Sequence, residues 1–416
     1  MSSDSMPSMN PMATSAPAAA GAAHHAPMPA AARIILKLLG GLQHGALLLK
    51  TPDGALLHYG DKGAPVTLEL KNWNVFGASL RAGDIGFAES YIAGDWTTND
   101  LTALVALLAR NRGAIESLIY GSWWGRLVYR VRHLMNRNTR AGSRKNIHAH
   151  YDIGNAFYAL WLDSSMSYSS ALYTTASGDD LAEAQSAKYC SILEQLKVKP
   201  GDRVLEIGCG WGGFAEIAAR DFGAHVTGLT LSSQQLAYAN TRMEQAGLAE
   251  RVDLRLCDYR DHVGEYDAIA SIEMFEAVGE SFWPSYFQTL ARSLKPGAQA
   301  CVQTIVIADD LFERYRNGTD FIQQYIFPGG MLASPSVFER MAFEAGLCVT
   351  CEFAFGADYA RTLAAWRESF HAKLDAVRAQ GFDDRFIRTW EFYLSYCEAA
   401  FLIGDTDVMH FTLTKC

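Results

Sequence analysis

Nowhere in the 416 residues is there an unbroken apolar run of the roughly 18 residues that a membrane-crossing helix requires. The N-terminus has neither the basic start nor the long apolar stretch of a secretory signal. Cysteine is sparse and late: all eight lie beyond residue 189, at spacings that imply no disulfide framework. The one close pair, Cys348 and Cys351, has no second pair and no histidines to complete a zinc site, and reads as ordinary strand residues. A reducing cytoplasm is the expected compartment. An excess of positive charge is also missing. The formal charge is -9, which argues against general nucleic-acid binding, because displacing counterions needs a net basic surface.

What is present suits a chain with two cores. Hydrophobic residues make up 49% of the sequence, and its length is sufficient for two domains. Residues 1–30 are almost uncharged Ala, Ser, Pro and Met without periodicity. They cannot bury enough apolar area to offset their ordering entropy, so the expectation is disorder. Residues 31–115 alternate briefly, as in Val66-Thr67-Leu68-Glu69-Leu70, with a turn at Pro52-Asp53-Gly54 between strands and a helix-compatible stretch over Leu101 to Leu108. They read as a docking domain without catalytic spacing. Between Glu116 and Asp152 there is no acidic residue, while Arg126, Arg130, Arg132, Arg137, Arg140, Arg144 and Lys145 accompany Trp123, Trp124 and Tyr129. This basic amphipathic linker over 116–150 has two readings. It is a peripheral helix on an anionic bilayer, or a solvated interdomain helix whose tryptophans enter the core.

From residue 185 the pattern is regular. Strands are expected at Arg203 to Ile207, Ala224 to Leu229, Val252 to Cys257, Tyr266 to Ile272 and Ala298 to Ile307, separated by helices. Such alternation implies right-handed crossovers and a mostly parallel, doubly wound α/β sheet. Further on, Leu363, Trp366, Phe370, Leu374 and Val377 recur at helical spacing, a stripe expected in the core.

Gly208, Gly210 and Gly213 satisfy G-x-G-x-x-G directly after a strand, a pattern compatible with NAD, FAD or S-adenosylmethionine. Two details separate these. A dinucleotide site wants an acid at the end of the second strand, where this chain has Gly228-Leu229-Thr230-Leu231-Ser232. Glu206 meanwhile precedes the loop, giving an E-x-G-x-G-x-G form that resembles motif I of class I methyltransferases. Asp258, closing the third strand, is expected to reach the adenine amine.

The chain also resembles the cyclopropane-fatty-acyl-phospholipid synthases and mycolic acid cyclopropane synthases, through an ordered series of motifs. These are Gly86-Phe87-Ala88-Glu89-Ser90-Tyr91 with Gly94-Asp95-Trp96, Tyr151-Asp152-Ile153-Gly154-Asn155, Met166-Ser167-Tyr168-Ser169, and the Gly208 to Gly213 loop. The series continues through Gly228 to Ser232 with Gln235, Met274-Phe275-Glu276-Ala277-Val278-Gly279, Tyr325 to Gly330, and Phe355-Gly356-Ala357-Asp358-Tyr359. The resemblance implies a Rossmann-like methyltransferase domain over 151–416 behind a smaller N-terminal α+β domain. It implies S-adenosylmethionine contacts at Tyr168, Ser169, Gly208, Gly210, Gly212, Thr230, Leu231, Gln235 and Tyr259. It further implies an acyl tunnel and a bicarbonate ion acting as base, held by Glu276, Tyr359, a histidine, and backbone at Ser170 and Ile305. The implied partner is the surface of an unsaturated, anionic phospholipid bilayer at the inner face of the cytoplasmic membrane, and a homodimer is compatible with it.

The implied reaction explains these residue types. Methyl transfer to an alkene leaves a carbocation that must be shielded from water, which an apolar pocket with aromatic faces does. A proton must then leave, which requires a base within hydrogen-bond reach. Two positions depart from the family pattern: Ser170 stands where cysteine is usual, and Gln303 stands where the histidine is expected. Glutamine can donate an N–H but cannot exchange a proton near neutral pH. The leading expectation is therefore cyclopropane formation on phospholipid acyl chains. The alternatives are lipid C-methylation without ring closure, small-molecule N-methylation (some amine methyltransferases share a stretch like Glu273 to Glu276), and a non-catalytic lipid-binding protein. Deleting residues 1–30 is expected to leave the fold intact, with an unchanged thermal unfolding midpoint.

Overall fold

The computed structural model describes residues 28–115 and 153–416. The basic linker, Tyr151 and Asp152, and nearly all of the expected disordered start lie outside the described residues. Two sheets organise the rest. The first has four strands, β1 (Ala46–Lys50), β2 (Leu56–Gly60), β3 (Val66–Leu70) and β4 (Trp96–Thr98), in the order β2-β1-β3-β4. The expected turn over Pro52 to Gly54 joins β1 to β2, with Gly54 at φ 85° supplying the left-handed backbone it needs.

Seven further strands form the second sheet: β5 (Arg203–Ile207), β6 (His225–Thr230), β7 (Val252–Leu256), β8 (Tyr266–Ile272), β9 (Leu294–Ile307), β10 (Leu347–Ala354) and β11 (Thr406–Lys415). Their order is β10-β11-β9-β8-β5-β6-β7. From β7 to β9 neighbours run parallel, as the βα alternation requires, while β11 pairs antiparallel with both β9 and β10. The carboxyl ends of β5, β6 and β8 therefore share one edge, where ligands bind in doubly wound folds.

The expectation of no disulfide needs correction. Cys348 and Cys416 are bonded, with Cα atoms 5.2 Å apart. Antiparallel pairing sets Leu347 opposite Lys415 and Cys348 opposite Thr414, and the Cys416 amide donates to the Gly346 carbonyl. The partners are 68 residues apart, so spacing along the chain carries no sign of the pair. Cys351 is a free, exposed strand residue. Among the described residues no helix is long and apolar enough to cross a membrane.

The helix Asp384–Ile403 packs between the two sheets' domains. Leu47, Trp96 and Leu104 belong to one apolar cluster with Phe157, Trp366, Trp390 and Phe392. The expected stripe is part of it: Leu363, Trp366, Phe370 and Val377 are buried, although the helix ends at Ala372 and a new one starts at Leu374. Polar contacts fix the orientation. Arg388 donates to the carbonyls of Tyr91 and Trp96, and the Tyr91 hydroxyl donates to Glu391. Glu398, buried, accepts from Thr102 Oγ1 at 3.0 Å and from Arg367 Nε at 2.8 Å. Replacing Glu398 with Ala strands the Arg367 guanidinium and the Thr102 hydroxyl together. A loss of roughly 1.5–3 kcal/mol in denaturant unfolding is expected, with Gln recovering part of it.

Candidate active site

The glycine loop is shaped by backbone that only glycine adopts easily: Gly208, Gly210 and Gly212 sit at φ 90°, 50° and 85°. A side chain at Gly208 would collide with Met274. The Gly208 and Cys209 amides both donate to the Leu229 carbonyl, tying the loop to β6. Behind it, Trp211 Nε1 donates to Asn155 Oδ1 at 2.8 Å, which gives the described end of the Tyr151 to Asn155 motif a structural task.

One cleft over this loop gathers Tyr168, Ser169, Glu206, Gly208, Gly210, Thr230, Leu231, Gln235 and Tyr259. Two expected contacts fall outside its lining. Gly212 caps the helix Gly213–Arg220. Asp258 is turned onto Arg260, accepting from its backbone amide, Nε and Nη2. Glu206 is buried in the cleft wall, and its Oε2 has no hydrogen-bond partner among the described residues. Burial pushes its pKa up to about 8, against the pull of Lys188 and Arg242. An orphaned carboxylate oxygen of this kind fits a cationic ligand, and S-adenosylmethionine carries an ammonium and a sulfonium. Lys188, also fully buried, donates to Ser169 Oγ at 2.5 Å, and burial lowers its pKa to about 8.

The five positions expected to hold bicarbonate come together, but not around a space for an anion. Ser170 N and Gln303 Nε2 donate to Glu273 Oε1 at 2.7 and 2.8 Å. Tyr359 Oη donates to Glu273 Oε2 at 2.7 Å. Ile305 N and Thr304 Oγ1 donate to Glu276 Oε1 at 2.5 and 3.0 Å. Each donor named for the ion already serves a carboxylate of the chain. Both carboxylates are half-buried and raised in pKa. For Glu273 the cause is burial, and for Glu276, at about 8, it is burial and then the neighbouring Glu273 charge. A third negative group here would face both, so these residues do not fit a bound bicarbonate.

A histidine does stand behind Gln303, from a different strand. Gln195 Nε2 lies 3.2 Å from His410 Nδ1, and His410 Nε2 lies 2.9 Å from Gln303 Oε1. Since Gln195 donates to Nδ1, the proton of His410 is on Nε2, and the Gln303 amide is held with its N–H toward Glu273. Burial, with Lys188 nearby, lowers the His410 pKa to about 3, so the ring stays neutral.

On the far side of the two carboxylates is an apolar pocket. Tyr168, Phe327, Tyr359, Tyr393 and Phe401 give it aromatic walls, and Leu363 of the core stripe contributes too. It shares Tyr168, Glu273 and Ala277 with the cofactor cleft. It also shares Tyr315, Asp320, Tyr396 and Ala400 with a third cavity, which Phe87, Val105 and Leu108 of the N-terminal domain help to line. Sequence reasoning missed Glu273, Lys188 and His410. The available signal was a second carboxylate three residues before Glu276, immediately after β8.

Residues 138–411 match the family model described as mycolic acid cyclopropane synthetase. Over 382 residues the chain is 37% identical to a tuberculostearic acid methyltransferase of Mycobacterium tuberculosis, covering 89% of this chain and 88% of the relative. Over 354 residues it is 35% identical to the cyclopropane-fatty-acyl-phospholipid synthase of Escherichia coli, covering 85% and 88%. Among solved structures it resembles the cyclopropane synthase MmaA2 of Mycobacterium tuberculosis at 28% identity and a TM-score of 0.61, covering 65% of this chain and 97% of that one. A mycolic acid cyclopropane synthase complexed with SAH and CTAB matches at 29% identity with the same TM-score and coverage. S-adenosylmethionine is thus the methyl donor. Its affinity is expected to peak near pH 8, because Glu206 ionises as pH rises to about 8 while the free cofactor's amino group loses its proton over the same range. Glu206→Gln is expected to flatten that maximum and to weaken binding at pH 8 by roughly 1.5–3 kcal/mol in calorimetric titration.

Proposed function

The chain belongs to the mycolic acid cyclopropane synthetase family, and on that premise we propose that it methylates a cis double bond in the acyl chains of unsaturated phospholipids. The observation that carries this reading is the half-buried carboxylate pair on the wall between the cofactor cleft and an aromatic-lined apolar pocket. S-adenosylmethionine, when bound, supplies an electrophilic methyl group. The protein's own residues do the rest. Apolar walls seat the hydrocarbon and keep water from the positive charge that methyl transfer leaves on it, while the rings of Tyr168, Phe327 and Tyr359 face that charge. A half-buried carboxylate accepts the departing proton.

Proton loss has two outcomes. Departure from the added methyl group closes a cyclopropane ring, the outcome the resemblance first implied. Departure that leaves an alkene gives a methyl-branched chain instead. Gln303 in place of the expected histidine and the 37% identical tuberculostearic acid methyltransferase support the second outcome as an alternative. N-methylation of a small molecule is disfavoured by relatives that are named for fatty-acid and phospholipid chemistry.

The N-terminal domain, together with the basic segment over 116–150, serves in this reading to dock the protein on an anionic bilayer, at the inner face of the cytoplasmic membrane. Incubation with S-adenosylmethionine and vesicles of unsaturated phospholipid is expected to add one CH2 to the acyl chains, read by mass spectrometry. Proton NMR then separates a ring from a retained alkene. An unchanged acyl pool would sink both lipid outcomes. Turnover is expected to fall on neutral vesicles and to return when anionic lipid is added.

A further inference from the structure

Three of the four donors expected to hold an exogenous base converge on one side chain of the protein, Glu273, while the fourth, Ile305 N, serves Glu276. We propose that the Glu273 carboxylate is itself the base of the reaction, occupying the position that the resemblance gives to a bicarbonate ion; this rests on the acyl-methylation reading above.

Three observations carry it. Ser170 N, Gln303 Nε2 and Tyr359 Oη all point at Glu273, from 2.7 to 2.8 Å. Two of them take Oε1 and one takes Oε2, so Oε2 keeps a lone pair for a proton. Glu273 also lines both the cofactor cleft and the apolar pocket, whereas Glu276 lines only the pocket. The carbon that receives the methyl group must lie where the two cavities meet, within reach of Glu273. Finally, Glu273 is one of three non-glycine residues at positive φ among the described residues, at 48°. A long side chain is held there in backbone that favours glycine, which is the kind of strain found where position matters to chemistry.

The step balances without a further reactant. A C–H bond of the methylated, cationic chain breaks and its proton goes to Glu273 Oε2. The C–H electron pair becomes the new bond to the electron-deficient carbon. The proton returns to water when product leaves and the carboxylate is restored. Fixed hydrogen bonds hold the base at one point. The His410–Gln303 relay adds a neutral support that cannot compete for the proton. Burial raises the basicity of the Glu273 carboxylate, and Lys188 and the three donors limit the rise.

The test uses full-length protein, S-adenosylmethionine and unsaturated phospholipid vesicles in buffer purged of carbon dioxide. Wild-type turnover is expected to be the same with and without added bicarbonate, and 13C-bicarbonate NMR is expected to show no protein-dependent broadening. Glu273→Gly removes the carboxylate and relaxes the backbone. It is expected to lose turnover roughly 100-fold or more, to broaden the bicarbonate signal, and to regain turnover as bicarbonate is added. Glu273→Gln fills the same space with an amide and is expected to stay inactive at every bicarbonate concentration. Wild-type turnover that depends on bicarbonate would overturn the proposal, as would a Glu273→Gln variant that keeps most of its activity. Failure of the lipid reading is distinguishable, because wild type would then alter no acyl chain under any condition. In that event the NMR titration still decides: bicarbonate broadening by wild type overturns the proposal, and broadening by Glu273→Gly alone supports the carboxylate's place in the anion position.

Discussion

A carboxylate taken out of water must recover its lost hydration from the protein, and Glu273 does so from three separate stretches of chain. Ser170 comes from the segment before the Leu181–Gln195 helix, Gln303 from β9, and Tyr359 from the helix that starts at Gly356. None of these is near Glu273 in sequence. Their convergence fixes the segment before the cofactor cleft, the central strands and the roof of the apolar pocket relative to one another. A shift in any of them leaves a half-buried negative charge short of a donor. Function and fold are thus tied at one residue, since the contacts that make the charge tolerable also hold it where the reaction needs it.

The topology makes such convergence available. β5 and β8 are adjacent and parallel, so the glycine loop after one and the Glu273 to Glu276 turn after the other emerge side by side. The first loop shapes the cofactor cleft and the second forms the partition behind it. The helix Asp384–Ile403 completes the arrangement from outside the sheet. One face of it supplies Tyr393, Cys397 and Phe401 to the apolar pocket, and the rest carries Arg388, Glu391 and Glu398 to the N-terminal domain. The pocket and the docking of the two domains therefore share a single rigid element.

Much of this was legible in the residues. β5 is legible to the residue because an apolar run bounded by Pro200-Gly201 and Gly208-Cys209-Gly210 leaves little choice of ends, and β8 because its apolar run lies between Gly264-Glu265 and Glu273. The cofactor cleft followed from local order, since a strand, a glycine turn and a helix are neighbours in sequence. β11 was not foreseen, because Thr406 to Lys415 alternates weakly and belongs to the sheet only through β10 and β9, partners that are remote in sequence. For the same reason the Cys348–Cys416 bond and the His410 relay were invisible. Asp258 also takes a partner that its place in the strand order does not announce: Arg260, two residues on. Glu273 was seen only as part of a stretch. Its weight rests on what surrounds it, and three donors from distant segments leave no periodicity to read.

The place of β11 has a consequence in time. This strand is the last of the described chain, yet it lies inside the sheet, between β9 and β10. On a ribosome, β5 to β9 can pair as they emerge, but β10 has no neighbour until residues 406–415 are clear of the exit tunnel. Until then β9 is an exposed edge, and Gln303 on it has no His410 behind it. The nascent chain must therefore pass through a state that has its cofactor loop and lacks the backing of its catalytic wall. Such an open, apolar edge is what attracts wrong partners. The last strand closes the edge and sets Gln303 in the same event, so the site is completed only when the sheet is no longer vulnerable.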